Sequence, residues 1–172
     1  MHKTYIDALS CADTVTQALR RGVFLNTAAG EKRNCMVIGW GELGRVWELP
    51  VFIAYVRQNR YTHELLEHNG EFTVCVPVNG YEKQAFAVCG GRSGRDLDKF
   101  AAAPLTAVES EKVLPCAIRE FPLTLECRVI YRETEETAKL PEEIRKRFYS
   151  VETEAHTAYY GQIVSAYLLE ED

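Results

Sequence analysis

The chain has 172 residues, 47% of them apolar and 26% charged, which is enough for a domain with its own hydrophobic core and argues against intrinsic disorder. Twenty basic against twenty-five acidic residues give a formal net charge of −5, which argues against a general affinity for nucleic acid or for an anionic membrane. No apolar run approaches the ~20 residues of a membrane-spanning helix, and the first residues lack the apolar core of a signal peptide, so we expect a cytoplasmic protein.

Apolar spacing and glycine or proline breaks divide the first half of the chain into short elements. In chain order they predict a helix over residues 10–21, a β-hairpin with strands at 23–28 and 34–40, a loop over 41–50, a strand at 51–57, a helix capped by Thr62, and a strand at 71–78. Gly22 follows the first helix, as glycine commonly does at a helix carboxyl end. The strand at 51–57 is apolar at nearly every position, which indicates burial on both faces.

The second half of the chain is also rich in strands. In chain order it predicts a helix over 81–90, a glycine-rich turn leading into a short helix, a strand at 123–133, a polar helix over 140–150 and a strand at 158–170. Regular alternation of strands and helices is absent, so the sequence favours a mostly antiparallel β-barrel with peripheral helices over a doubly wound sheet. No repeat or low-complexity linker interrupts the chain, and we expect residues 1–172 to form a single domain.

The stretch VRQNRYTHELL is a candidate anion site. It places Arg57, Arg60 and Thr62 close together at the start of a helix. The free N–H groups of a helix amino terminus attract anions, and guanidinium groups bind phosphate in a bidentate manner. The alternative is that the two arginines are solvated and that Thr62 only caps the helix. Residue types alone leave both interpretations open.

Two glycine-containing segments would let a ligand approach the backbone closely. In CGGRSGRDLDKF, four side chains add donors beside Gly90, Gly91 and Gly94, namely Arg92, Ser93, Arg95 and Lys99, although neither a Walker pattern nor GxGxxG is met. The alternative for this segment is a glycine-terminated helix followed by a helix capped by Asp96. In NCMVIGWG, glycines flank Trp40 and leave room for a planar ring against the strand. A core tryptophan beside a turn is the alternative there.

The sequence contains no motif for metal binding or for nucleophilic catalysis. The histidines form no HExxH pattern and the six cysteines no CxxC pair, so we predict no metal site and interpret the cysteines as reduced thiols. His156 precedes the last strand without an acidic or cysteine ligand nearby, and residue type alone favours a surface side chain. The lack of an acid–base set is consistent with hydride or electron transfer by a bound cofactor.

Resemblance to a known family is carried by five segments in register: NCMVIGWG, VRQNRYT, CGGRSGRDLDKF, LECRVIY and HTAYYGQIVSAY. Together they resemble the flavin reductase-like family, whose members have an FMN-binding split β-barrel and include flavoredoxin. The resemblance implies a set of cofactor-binding residues: Asn34, Met36, Val37, Ile38, Gly39, Trp40, Arg57, Asn59, Arg60, Thr62, Cys89, Ser93 and Lys99. Within this set it assigns the FMN phosphate to the arginine–threonine stretch with help from Ser93 and Lys99, and the flavin ring to the strand before Trp40.

The resemblance also implies an activity and an assembly. It implies that His156 lies near the flavin and helps to receive NADH or NADPH, which would reduce FMN before a second acceptor is reduced. Family members are typically homodimers, and four tyrosines would supply either interface or barrel core: Tyr149, Tyr159, Tyr160 and Tyr167. The alternatives are an FMN electron carrier that does not use nicotinamide directly, and a non-redox dimeric binding module that has lost the cofactor. A pyridoxamine phosphate oxidase-like protein would share the barrel and FMN but not these motifs.

Overall fold

The computed structural model describes residues 1–149 and 155–171, which form ten strands and five α-helices. In chain order these are β1 (His2–Tyr5), α1 (Ala12–Leu19), β2 (Val23–Ala29), β3 (Lys32–Ile38), β4 (Gly41–Val46), β5 (Leu49–Arg57), α2 (Tyr61–His68), β6 (Glu71–Val76), α3 (Lys83–Gly91), α4 (Lys99–Ala102), β7 (Ala107–Val108), β8 (Ala117–Ile118), β9 (Leu123–Thr134), α5 (Glu142–Phe148) and β10 (His156–Glu170). Two short 3-10 helices lie at Ala8–Cys11 and Thr137–Lys139. Among the described residues, no helix is long and apolar enough to cross a membrane.

Eight of the strands form one antiparallel sheet in the order β3-β2-β6-β9-β10-β5-β4, with β1 also paired to β10. The long strand β10 joins the two halves of this sheet. Its first residue, His156, pairs with Arg57 of β5, while its far end pairs with β1 at His2↔Glu170. Register shifts near Gly161 bend the strand between these two pairings. The prediction of a mostly antiparallel split barrel with peripheral helices is confirmed.

The hydrophobic core consists of clusters on the two faces of the sheet. Phe24 and Leu25 are neighbours on β2 yet belong to different clusters, because successive side chains of a strand point to opposite faces. Phe24 stacks on Phe121 with ring centroids 4.0 Å apart, beneath α3 and α4. Leu25 packs with Phe52 and other fully buried side chains on the opposite face. Burying each large side chain of this kind contributes about 1.5–3 kcal/mol to folding.

The prediction of a loop over residues 41–50 is wrong. These residues form β4, the turn Trp47–Glu48 and the start of β5, with Val46 paired to Leu49. Trp47 and Glu48 have φ values of 50° and 63°, as the two-residue turn of a type I′ hairpin requires. Gly41 is explained by close approach, because a Cβ there would lie 2.7 Å from Cζ of Phe52. The glycines therefore belong to a strand pair and do not mark a flexible connection.

Two predicted helix caps are also wrong. The helix α2 begins at Tyr61 with Arg60 in the N-cap position, and the Thr62 side chain is instead buried. This side chain joins α2 to β3, since its Oγ1 accepts a hydrogen bond from Nδ2 of Asn34 at 2.7 Å. The cap of α4 is Asp98 and not Asp96, because Oδ1 of Asp98 accepts from the amide of Phe100 at 2.9 Å.

Several boundaries differ from the predicted ones by a few residues. The strand predicted at 34–40 ends at Ile38, and the one predicted at 71–78 ends at Val76, before Pro77, which has no N–H to donate to a ladder. The predicted helix over 140–150 is α5, and its predicted end at Ser150 lies outside the described residues. The strands β1, β7 and β8 had no counterpart among the predicted elements.

Candidate functional site

Two adjoining cavities lie beside β3. The first, which we call the basic cavity, has a volume of about 490 Å³ and is lined by Asn34, Met36, Val37, Asn59, Arg60, Tyr61, Thr62, Cys89, Gly90, Gly91, Arg92, Ser93, Gly94, Arg95, Asp96 and Lys99. The second, the histidine cavity, has a volume of about 180 Å³ and is lined by Met36, Val37, Ile38, Gly39, Trp40, Tyr55, Arg57, Arg60 and His156. Both are lined by Met36, Val37 and Arg60, so they lie side by side and share a wall.

The structure brings every residue of the predicted site to these two cavities. The strand β3 supplies the shared wall, while the start of α2 and the glycine-rich segment after α3 close the basic cavity. Arg57 lies with the histidine cavity and not with Arg60 and Thr62 in the basic cavity. Its Nη2 donates to the carbonyl oxygen of Phe148 at 3.1 Å, and its guanidinium lies over the Tyr149 ring. The predicted cluster of two arginines with Thr62 is thus divided between neighbouring cavities.

The basic cavity carries an excess of cationic side chains. Arg60, Arg92, Arg95 and Lys99 line it against one carboxylate, Asp96. Arg95 donates to Oε2 of Glu64 at 3.2 Å, which ties the glycine-rich segment to α2. The described contacts therefore leave more positive than negative charge facing this cavity, a balance that favours an anionic ligand.

Lys99 is the most unusual cation of the site, because its side chain is buried. Its Nζ donates to the carbonyl oxygen of Cys89 at 3.0 Å, and burial lowers the pKa of the ammonium group. An ammonium group has three donors, so this single described hydrogen bond leaves capacity for further acceptors. A buried cation is stabilised by a compensating anion. Lys99 therefore favours an anionic ligand, as does the excess of positive charge in the cavity.

Asn34 and Thr62 form a buried polar pair at the wall of the basic cavity. Since Thr62 Oγ1 accepts from Asn34, the hydroxyl proton of Thr62 is available to another acceptor. Oδ1 of Asn34 is buried without a hydrogen-bond partner among the described residues, which costs about 1–3 kcal/mol unless a ligand or water supplies a donor. A Cβ at Gly94 would lie 2.1 Å from this oxygen, so only glycine fits there.

His156, which lines the histidine cavity, belongs to a hydrogen-bonded group that the sequence did not reveal. Tyr149 donates its hydroxyl proton to Oε2 of Glu135 at 2.6 Å, and its oxygen lies 3.0 Å from Nδ1 of His156. The ring of Trp40 covers His156 with centroids 4.6 Å apart. His156 is 6% exposed, so the expectation of a surface side chain is wrong. The reason is that Tyr149 and Trp40 both pack against the imidazole.

Charges around His156 act on its pKa in opposite directions. Burial lowers the pKa of the imidazole, Glu135 raises it, and Arg57 and Arg60 lower it; the net shift is downward. The hydroxyl of Tyr149 has a raised pKa because it is buried and bonded to Glu135. Both groups are therefore uncharged near neutral pH.

Sequence reasoning missed Glu135 and Tyr149 because no local pattern marks them. They lie more than ten residues apart in sequence, and only the course of the chain after β9 brings them to His156. Trp40 is half exposed and contacts His156 and Phe148, so the alternative of a core tryptophan does not hold. Tyr55 and Tyr61 line the cavities without having been predicted, and so does Asp96, which was considered only as a helix cap.

The six cysteines are free thiols in the structure. Cys89 lines the basic cavity, and its thiol forms a hydrogen bond with that of Cys35, which lies behind it and is fully buried. Burial raises the pKa of Cys35, whereas the contact with Cys35 lowers that of Cys89. Of the four tyrosines considered for an interface, Tyr159 and Tyr167 belong to the core and Tyr149 is buried beside His156. Tyr160 is half-buried.

Comparison with known proteins places the chain among flavin-associated proteins. A family model described as "Flavin reductase like domain" matches residues 16–172. An uncharacterized protein of Archaeoglobus fulgidus is 30% identical over 141 residues, which cover 82% of this chain and 68% of that protein. This relative has no assigned activity, so it supports the family and adds no reaction.

Three solved structures share the fold. Flavoredoxin from Methanosarcina acetivorans is 28% identical, with a TM-score of 0.65 over 87% of this chain and 68% of that one. An FMN-binding domain of a flavin reductases-like enzyme from Shewanella baltica OS155 is 15% identical, with a TM-score of 0.70 over 97% of this chain and 77% of that one. The NADH:FAD oxidoreductase SgcE6 of Streptomyces globisporus C-1027 is 17% identical, with a TM-score of 0.66 over 86% of this chain and 75% of that one.

Proposed function

The chain belongs to the flavin reductase like family, and on that premise we propose that it binds FMN across the basic and histidine cavities and acts as a flavin-dependent oxidoreductase. One observation carries this proposal: the residues that the family resemblance assigns to the cofactor line two cavities that share a wall. One cavity is cationic and the other is flanked by aromatic rings. FMN has a matching construction, with a phosphate at one end and a planar ring at the other.

The residues of the basic cavity fit the phosphate and the ribityl chain. We assign the phosphate to Arg60, Lys99 and the free hydroxyl proton of Thr62, because charge-assisted donors are what a phosphate dianion needs. Asn59 and Ser93 supply further donors from the same walls. The oxygen of Asn34, which is buried against Gly94, would not assist the phosphate, since both are acceptors.

The strand β3 and His156 would lie beside the planar ring of FMN. Bound FMN would supply the redox chemistry, accepting a hydride from NADH or NADPH and passing the electrons to a second acceptor. Backbone groups from Met36 to Trp40 would lie along this ring, and their hydrogen bonds would tune its reduction potential. Trp40 and Phe148 shield the imidazole of His156 from solvent, and Arg57 adds a positive charge beside it. We propose that this cavity receives the nicotinamide; SgcE6, which shares the fold, is an NADH:FAD oxidoreductase.

The proposal is tested by titrating the purified protein with FMN and with riboflavin, which lacks the phosphate, while following flavin fluorescence. Wild-type protein is expected to prefer FMN. Arg60→Met is expected to weaken FMN binding by roughly tenfold to a hundredfold, because a hydrogen bond to a charged group contributes about 1.5–3 kcal/mol. Riboflavin binding should change little. Arg20→Met, an exposed arginine at the end of α1, is the matched control. Equal affinity of the wild type for both flavins would contradict the phosphate assignment.

A second candidate is an FMN electron carrier that does not react with nicotinamide directly. It is favoured by the 28% identity to the flavoredoxin from Methanosarcina acetivorans. Anaerobic addition of NADH or NADPH to the FMN-loaded protein separates the two: bleaching of the flavin absorbance supports the reductase, and persistence of the bands supports the carrier. A non-redox binding module would show no flavin bands even after FMN is added.

We also propose that the chain functions as a single domain and assembles as a homodimer. An exposed apolar patch supports the dimer: Ile130, Tyr131 and Trp47 each expose more than a third of their surface, and Trp47 contacts both Tyr131 and Tyr160. Large exposed aromatic groups in one patch are typical of protein interfaces. A second copy of the chain is the partner that this family implies.

A further inference from the structure

We propose that Tyr149 and Glu135 are positioning residues that hold the proton of His156 on Nδ1, so that Nε2 accepts a hydrogen bond from the substrate in the histidine cavity. The substrate class is a primary carboxamide, which is the nicotinamide amide if the proposed function is correct. The part concerning the substrate rests on that function. The part concerning the proton rests on the hydrogen bonds of the chain alone.

The proton position follows from counting donors. Tyr149 has one hydroxyl proton, and the 2.6 Å contact directs it to Oε2 of Glu135, which as a carboxylate can only accept. The hydroxyl oxygen, 3.0 Å from Nδ1 of His156, must then be the acceptor of that second hydrogen bond. Nδ1 therefore carries a proton, and it also lies 3.5 Å from the same carboxylate oxygen of Glu135.

The ring is neutral because burial and two arginines outweigh the effect of one carboxylate. Glu135 follows β9 and favours the cation, while Arg57 at the end of β5 and Arg60 before α2 oppose it. Burial opposes it further, and Tyr149 contributes an uncharged hydroxyl. A neutral imidazole has one N–H, so a proton on Nδ1 leaves a lone pair on Nε2.

The lone pair on Nε2 gives the cavity a defined preference. His156 lines the histidine cavity, and none of the described residues hydrogen-bonds to its Nε2. A hydrogen-bond acceptor on a cavity wall selects ligands that bring an N–H or O–H group and disfavours a carbonyl oxygen at that point. A primary carboxamide brings two N–H donors. Reversing the tautomer would present a donor instead, so Tyr149 and Glu135 decide which kind of ligand group is accepted.

The proton position is measured directly by long-range ¹H–¹⁵N spectra of the full-length protein labelled at histidine, with His156 assigned from the His156→Gln variant. We expect the Nδ1–H tautomer in the wild type at pH 7, with or without added FMN. Tyr149→Phe removes the acceptor at 3.0 Å and leaves only Glu135, 3.5 Å from Nδ1, so part of the population should move to Nε2–H. Tyr167→Phe is the matched control, because Tyr167 is also buried and donates to a carboxylate, Glu126, at 2.8 Å. It should leave the His156 signals unchanged.

Glu135→Gln separates proton direction from charge and remains informative if Tyr149→Phe does not fold. The amide oxygen still accepts from Tyr149, so the tautomer should persist. The loss of the negative charge should lower the pKa of His156 further, as followed by pH titration of the same signals. A wild type with its proton on Nε2, a doubly protonated ring at pH 7, or an unchanged tautomer in folded Tyr149→Phe would each overturn the assignment.

Steady-state kinetics with NADH test the substrate part. In Tyr149→Phe, KM for NADH should rise about threefold to tenfold with kcat within about twofold, because one neutral hydrogen bond made equally in the ground and transition states is lost. The Kd for FMN should stay within about twofold. An unchanged KM together with the expected change of tautomer would overturn the carboxamide assignment. A wild type that binds no FMN would refute the proposed function, while the spectra would still decide the proton position.

Discussion

At the scale of single residues, we expect opposite effects on stability from removing the hydroxyl groups of two buried threonines. Thr62 Oγ1 is bonded to Asn34, whereas Thr27 Oγ1, also buried, has no partner among the described residues. Thr62→Val strands the amide of Asn34 and should lower the free energy of unfolding by about 1–3 kcal/mol. Thr27→Val removes an unsatisfied hydroxyl and should be neutral or stabilising. Urea unfolding of both variants without added flavin measures the difference, and equal losses would contradict the hydrogen-bond assignment.

One buried and one half-buried histidine, His156 and His63, determine how stability is expected to change with pH. Burial lowers the pKa of both His63 and His156 in the folded state, so between the folded and unfolded pKa values the unfolded chain binds more protons. The contribution of these histidines to stability is therefore fully present above the ordinary histidine pKa of ~6.5, and it is lost as the pH falls through their lowered pKa values in the folded state. Three carboxyl groups also have a lowered pKa, Asp98, Glu111 and Glu170, and their contribution to stability is lost only as the pH falls below the ordinary carboxyl pKa of ~4.

This pH dependence is measured by urea unfolding of the wild type between pH 7.5 and pH 5. The free energy of unfolding should decrease with falling pH, and the decrease should become smaller in His156→Gln and in His63→Gln. A wild type whose stability increases toward pH 5 would contradict the lowered pKa values.

The residues of the site divide into those that a motif reveals and those that only the fold reveals. Arg60, Ser93 and Lys99 stand in continuous segments whose residue types already favour anion binding, so they were predicted. Tyr149 and Glu135 have no such context, because a tyrosine and a glutamate in a polar stretch are ordinary surface residues until the chain folds over His156. The position of Arg57 in the histidine cavity likewise follows from the fold, since nearness in sequence to Arg60 does not determine which way a side chain leaves its strand.

At the scale of elements, the hairpin of β4 and β5 gives a paired glycine prediction. A Cβ on Gly41 would meet the Phe52 ring at 2.7 Å and the carbonyl oxygen of Ile53 at 3.1 Å, whereas a Cβ on Gly44 meets nothing within 4 Å. Gly41→Ala should destabilise by about 1–3 kcal/mol, since overpacking displaces a core ring. Gly44→Ala should be neutral or slightly stabilising, because glycine weakens a strand interior. Thermal unfolding compares them, and two equal, small effects would indicate that residues 41–46 do not pair tightly with β5.

The same hairpin shows where element prediction fails. A type I′ turn is normally recognised by Asn-Gly or Asp-Gly, but here Trp47 and Glu48 adopt the positive φ values. Without that signal, the glycines of β4 and Pro50 predicted a loop. The strand β5 was predicted correctly because burial on both faces produces a continuous apolar run, which does not depend on turn chemistry.

At the scale of the whole molecule, the sequence predicted the architecture better than the pairing of its parts. The strand-rich pattern without alternating helices was sufficient for an antiparallel barrel, since it depends only on composition and spacing. The strand order could not be predicted from the sequence, because β10 pairs with β1, β5 and β9 through contacts between residues far apart in the chain. The position of the two cavities depends on those long-range pairings and could not be predicted. The residues that line the cavities could be named in advance, because the family resemblance identifies them by their motifs and does not require the strand order.

The assembly of the molecule is open to a direct test at the exposed aromatic patch. Trp47 is 58% exposed at the tip of the β4–β5 hairpin and packs against Tyr131 and Tyr160. If a second copy covers this patch, Trp47→Glu places a carboxylate in the interface and should convert a dimer into a monomer, as measured by size-exclusion chromatography with light scattering. Leu114→Glu, which adds the same charge at an exposed apolar residue outside the patch, should remain dimeric. A wild-type monomer, or a Trp47→Glu variant that stays dimeric, would show that the patch is not the interface between copies.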